Sequence, residues 1–197
     1  MIQKIGIICQ DANSRGFLEG LKTRLGCSAE LIPVPIAVGK SVYMTKRQSK
    51  IAWAYLRKQG VDLIIRFTDA DDARRQDVQR GELKTFPDAA QSIFVCGVAV
   101  RNTEHWLNLD PQYLAEKLGL SSVQRTDRNS DPTGLIKSAL SKIRRPEEKS
   151  SDVVARLIQE APSDVFKIWL RNKSLQEFYS DCRQAALRAE CDVPNEL

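Results

Sequence analysis

The sequence predicts an α/β fold with a mainly parallel sheet and a C-terminal helical extension. Three observations carry this. Near-continuous apolar runs at residues 5–9, 63–68 and 93–100 have the composition of strands buried on both faces. Helical segments separate them, so the strands are joined by crossovers rather than hairpins. After Asp110-Pro111 the strand signals stop and helical periodicity takes over.

Taken in order, Ile5-Gly6-Ile7-Ile8-Cys9 is the first strand. Ser14 is placed to cap a helix whose Phe17, Leu18, Leu21 and Leu25 share one face, with Gly26 as its stop. Residues 31–38 are apolar but hold Pro33 and Pro35, which suits an edge strand or a loop. A helix is expected over 46–59, closed by Gly60, and the strand 63–68 follows it. Residues 73–82 read as a polar helix or loop before the strand at 93–100. Beyond the polar stretch 124–132, helical patterns recur in Ile136, Leu140 and Ile143, in Val153, Val154, Leu157 and Ile158, and in Leu175, Phe178 and Cys182. This divides the chain into an α/β core over 1–123 and a helical extension over 124–197 packed on it.

The 197 residues, 42% of them hydrophobic, are enough for one good-sized domain with a proper core. No apolar run approaches the roughly 20 residues of a membrane span, and the N-terminus lacks a signal-peptide cleavage pattern, so a cytoplasmic protein is expected. The net charge of +5 is compatible with a polyanionic partner without requiring one. Five scattered cysteines without a Cys-x-x-Cys pair argue against a zinc site and a disulfide framework. A single histidine, His105, excludes a multi-histidine metal site and disfavours a Ser-His-Asp triad. Chemistry in this chain is expected to run on carboxylates.

Those carboxylates fall where a parallel sheet binds ligands, beyond the carboxyl ends of the strands. Gln10-Asp11, Asp69-Ala70-Asp71 and Glu104 follow the three strongest strands. Alternate residues leaving a strand point the same way, so Asp69 and Asp71 can converge. A hard divalent cation with oxygen ligands would offset their repulsion. The competing reading is that the acids open a loop and cap the next helix. Glu104 lies in Glu104-His105-Trp106-Leu107-Asn108-Leu109-Asp110, where it would occupy the first turn of a helix and Trp106 would enter the core.

Strand and turn, strand-Asp69-x-Asp71, then a strand leading into Glu104-x-Trp106-Leu107-x-x-Asp110 resembles the small stand-alone TOPRIM-like proteins related to OLD-family nucleases. The resemblance covers about the first 115 residues. It implies a Rossmann-like TOPRIM core that binds Mg²⁺ or Mn²⁺ through acidic residues, with Asp69 and Asp71 as metal ligands and Glu104 as a third acid. It further implies a divalent-metal-dependent nuclease acting on DNA or RNA, with an ATPase partner in bacterial defence. One departure stands out. The family pattern has a glutamate after the first strand, whereas this chain has Gln10-Asp11. A glutamine cannot act as a general base, so that role is either lost or displaced to Asp11, with Glu19 a weaker substitute. The alternative is therefore a non-catalytic TOPRIM-like binding or regulatory subunit.

Arg15, Lys40, Lys46, Arg47, Lys50, Arg74, Arg75 and Arg80 fall near the acidic edge, where basic groups can hold phosphates. Gly39-Lys40-Ser41 is not a P-loop, because position 34, where the motif needs a glycine, is Val34.

Overall fold

The computed structural model describes residues 3–39, 43–70, 73–99, 102–122 and 133–188. In chain order the elements are β1 (Lys4–Cys9), α1 (Ala12–Arg24), β2 (Glu30–Pro33), α2 (Ile36–Gly39), α3 (Lys46–Gln59), β3 (Leu63–Asp69), α4 (Arg75–Thr85), α5 (Asp88–Gln91) and β4 (Phe94–Ala99). Helices follow from there on: α6 (Thr103–Leu107), α7 (Pro111–Leu118), α8 (Thr133–Lys142), α9 (Ser150–Glu160), α10 (Ser163–Trp169) and α11 (Lys173–Arg188). None of the described helices is long and apolar enough to cross a membrane.

The four strands form one parallel sheet in the order β2-β1-β3-β4. The chain steps from β1 outward to β2, then returns across β1 to β3 and continues to β4. With right-handed crossovers, that reversal puts α1 on one face and α3 and α4 on the other. Side chains alternate accordingly. Ile5, Ile7, Leu63, Ile65 and Phe67 join Phe17 and Leu21 of α1 in one core, whereas Ile8 and Ile64 join Ala52 and Leu56 of α3 in another. This is an α/β fold of the Rossmann-like kind, with a topological switch point between β1 and β3.

The C-terminal helices cover the α1 face. Val153, Val154, Leu157, Ile158, Phe166, Trp169 and Phe178 belong to the same core as Phe17 and Phe67. Close approach is possible because α1 carries Gly16 and Gly20. A Cβ at Gly16 would lie 2.1 Å from the Ser151 carbonyl oxygen, and one at Gly20 2.5 Å from Ile158 Cβ. Phe178 likewise rests on Gly97 of β4, where a Cβ would meet its ring at 2.5 Å.

α3 covers the span 46–59 that the sequence predicts, closed by Gly60. Thr45 and Gln48 form a capping box, and Gly60 ends the helix with φ of +67°. At α1 the expectation is corrected. Asp11, not Ser14, is the N-cap, and Ser14 supplies the backbone N–H that the Asp11 carboxylate accepts at 2.8 Å. The helix thus starts earlier than its apolar face does. Residues 31–38 resolve into the short edge strand β2 and the single turn α2.

Candidate functional site

β1 and β3 are neighbours through the pair Cys9–Phe67, so the residues that leave them meet at the switch point. Gln10 turns its side chain toward β3. Its Oε1 accepts from Thr68 Oγ1 at 2.9 Å and from the Asp69 backbone N–H. Asp69, the last residue of β3, is half-buried and on the face of the sheet that α6 approaches. Thr103 of α6 lies with its Oγ1 3.4 Å from Asp69 Oδ1 and 3.1 Å from Ser14 Oγ. This hydroxyl bridges the ends of β3, α1 and α6.

Glu104 is the second residue of α6 and only 1% exposed. Asn102 caps the helix by accepting the His105 N–H at 2.9 Å, which fixes the turn that carries Glu104. Glu104 Oε1 accepts from Asn13 Nδ2 at 2.8 Å and lies 3.5 Å from Lys137 Nζ of α8. A buried carboxylate needs such partners. The hydrogen bond from Asn102 Nδ2 to Thr133 Oγ1, at 3.0 Å, pins the start of α8 beside it. His105 is half-buried one residue along, and Trp106 enters the core, where its indole N–H donates to Ser174 Oγ at 3.0 Å.

The acidic residues singled out in the sequence thus have different fates. Asp69 and Glu104 come to the same edge, separated by Thr103. Asp11 commits one carboxylate oxygen to capping α1 and does not close a trio with them; among the described residues no three Asp, Glu, His or Cys side chains are grouped to hold a metal ion. Asp71 lies outside the described residues. Asp110 caps α7 by accepting the Tyr113 N–H at 3.1 Å. Glu19 is engaged by Arg15 at 2.8 Å. Lys40 and Ser41 also lie outside the described residues.

The atoms at this edge are of the donor type that hard cations take. Asp69, Glu104 and Thr103 offer oxygen only, and Mg²⁺ is typically held by one or two carboxylates together with waters and substrate phosphates rather than by a closed protein cage. Cys9, beside Gln10, adds no nucleophile. Burial pushes its thiol up to about 12 despite the nearby Arg66 guanidinium, so it stays protonated at neutral pH.

Under this edge lies a pair that sequence reasoning missed. Arg66 and Glu82 are both fully buried, and Arg66 Nε donates to Glu82 Oε2 at 3.0 Å. Glu82 Oε1 accepts the Met44 N–H at 2.7 Å, and Arg66 Nη1 reaches the Ile8 carbonyl at 3.4 Å. The pair joins β1, β3, α4 and the approach to α3 three residues before Asp69. Asn13, Thr103 and Lys137 were missed as well. Asn13 had a signal in standing just after Gln10-Asp11, but the distance of Lys137 along the chain left none. Comparison of the chain with family models, with curated proteins and with solved structures finds no match.

Proposed function

We propose that the carboxyl edge of the sheet is a divalent-metal-dependent site for cleaving phosphodiesters in DNA or RNA. The observation that supports it most is that Asp69 ends β3 at the switch point of a parallel sheet and lies against Thr103, the neighbour in sequence of the buried Glu104. In this reading Asp69 and Glu104, with Asp71, are the ligands of Mg²⁺ or Mn²⁺. Asn13 and Lys137 engage Glu104 Oε1 and so fix the carboxylate at this edge. Bound there, the cation would stabilise charge on the phosphate and acidify an attacking water. Gln10 holds the ends of β1 and β3 in register and cannot take a proton from that water, which leaves Asp11 as the acid nearest in sequence for that role. Action beside an ATPase partner in bacterial defence, in the cytoplasm, rests on the TOPRIM-like resemblance alone.

A second reading is favoured by two particular observations. An amide stands at position 10, and the Asp11 carboxylate is drawn into the α1 cap. Both point to a non-catalytic binding or regulatory subunit on the same fold. Calorimetric titration of Mg²⁺ and Mn²⁺ into wild type, Asp69→Ala and Glu104→Gln, with a parallel cleavage assay, separates the two. Metal binding and cleavage that both disappear in the variants support the enzyme. Metal binding without cleavage supports the subunit. No binding to wild type removes the metal site.

A further inference from the structure

All of the chain's excess positive charge lies in one stretch. Residues 31–61 hold six of the 30 Lys and Arg and none of the 25 Asp and Glu, so the remaining sequence is net −1. Five of the six are on α3: Lys46, Arg47, Lys50, Arg57 and Lys58, all exposed. Among the described residues no ion pair involves any of them.

The same layer exposes large apolar side chains. Tyr43 is 47% exposed, Ile51 49% and Tyr55 37%. On α3, Arg47, Ile51, Tyr55 and Lys58 follow one another at spacings of four, four and three, with Lys50 and Ala54 between, so they share the outward stripe. The stripe runs about 16 Å along the helix axis. Tyr43 lies just before the helix, over Gly81 of α4, where a Cβ would stand 3.5 Å from its ring. A run of cations interleaved with exposed rings matches a polymer with regularly spaced negative charges and flat apolar groups between them.

We infer that the outer face of α3, with Tyr43, is a docking surface for a single-stranded polynucleotide. Phosphates would meet Arg47, Lys50 and Lys58, and unpaired bases would stack on Tyr43 and Tyr55. A duplex hides its base faces, so the tyrosines would gain nothing from it. An anionic membrane would use a broad apolar face, but the apolar face of α3 is spent on the sheet through Ala52 and Leu56. Because α3 starts at the carboxyl edge and ends before β3, its Arg47 end is the one nearer the Asp69 edge. The inference rests on the preceding reading for the class of polymer, while the docking itself stands on charge and ring placement.

The test is fluorescence anisotropy of the full chain with labelled oligonucleotides of about 16 nucleotides, single-stranded and duplex, in EDTA. Vesicles of phosphatidylcholine and phosphatidylserine are assayed in parallel by sedimentation. Wild type is expected to bind single strands at least about tenfold more tightly than duplex. Arg47→Ala/Lys50→Ala/Lys58→Ala should lose at least about tenfold in affinity and lower the salt slope by about 2. Tyr43→Ala/Tyr55→Ala should weaken single strands and leave duplex unchanged. Unaltered binding by the triple variant, equal binding of single strand and duplex, or binding to vesicles alone would overturn the inference. Binding intact with no metal-dependent cleavage would remove the enzyme reading and leave this surface standing.

Discussion

At the residue scale the most consequential choice is the burial of Arg66 with Glu82. Two charges removed from water are tolerated when they pair and their remaining polar atoms are bonded, but breaking the pair strands a charge. Glu82→Ala is therefore expected to cost about 3–5 kcal/mol in urea unfolding. Arg66→Met/Glu82→Leu should come close to wild type, because neither charge is left alone. A double mutant as unstable as Glu82→Ala would show that the Met44 and Ile8 contacts, not the charge pair, dominate. Two thiols, Cys9 in the core and the half-buried Cys96, give a pH dependence. Burial raises Cys9 and Cys96 from 9.0 to about 12, so the folded state keeps protons that the unfolded state releases. Their contribution is complete below about pH 9 and is lost as pH rises toward about 12. Thermal unfolding from pH 8 upward should show stability falling, and Cys9→Ala/Cys96→Ala should flatten the fall. Asp69 and Glu104 were legible as residues because each closes or follows an apolar run. Their partners Thr103, Asn13 and Lys137 were not, since side-chain pairing is decided by tertiary approach that no local pattern encodes. The cap of α1 was misread for a related reason: Asp11 and Ser14 are both good caps, and only the helix start decides between them.

At the element scale, glycines separate tolerance from conflict. Gly16 of α1 faces the α9 backbone at Ser151, which cannot swing aside as a flexible side chain can. Gly16→Ala should destabilise by about 1–3 kcal/mol through overpacking. Gly134 of α8 has nothing within 4 Å of an added Cβ. Gly134→Ala should stabilise by about 0.4–1 kcal/mol by reducing the freedom of the unfolded chain. Paired thermal melts check both signs, and a neutral Gly16→Ala would mean that α1 and α9 can slide apart without cost. Elements with complete local signals were the legible ones. The end of α3 is written in Gly60, and β1, β3 and β4 in their apolar runs. The docking of α9 on α1 was not legible, because it depends on two small residues meeting a backbone far away in sequence.

At the scale of the whole molecule, the site depends on the helical extension as much as on the sheet. The Phe67 ring stacks on Phe178 of α11 at 5.3 Å and lies 5.3 Å from Trp106, which in turn lies 5.3 Å from Phe17 of α1. Trp106 follows Glu104 by two residues and is anchored to Ser174 of α11. Lys137 of α8 supplies a positive charge opposite Glu104. Removing 124–197 would uncover this aromatic cluster and take the lysine from a buried carboxylate at once. A chain ending at residue 123 is expected to lose cooperative unfolding and to bind the dye ANS, while the full chain melts in one transition by both tryptophan fluorescence and far-ultraviolet dichroism. Lys137→Met in the full chain isolates the electrostatic part. It should leave the aromatic core and the single transition in place, and weaken folding modestly, because Asn13 still donates to Glu104. If the truncated chain instead folds cooperatively, the α/β core is self-sufficient and the extension serves the site through Lys137 alone.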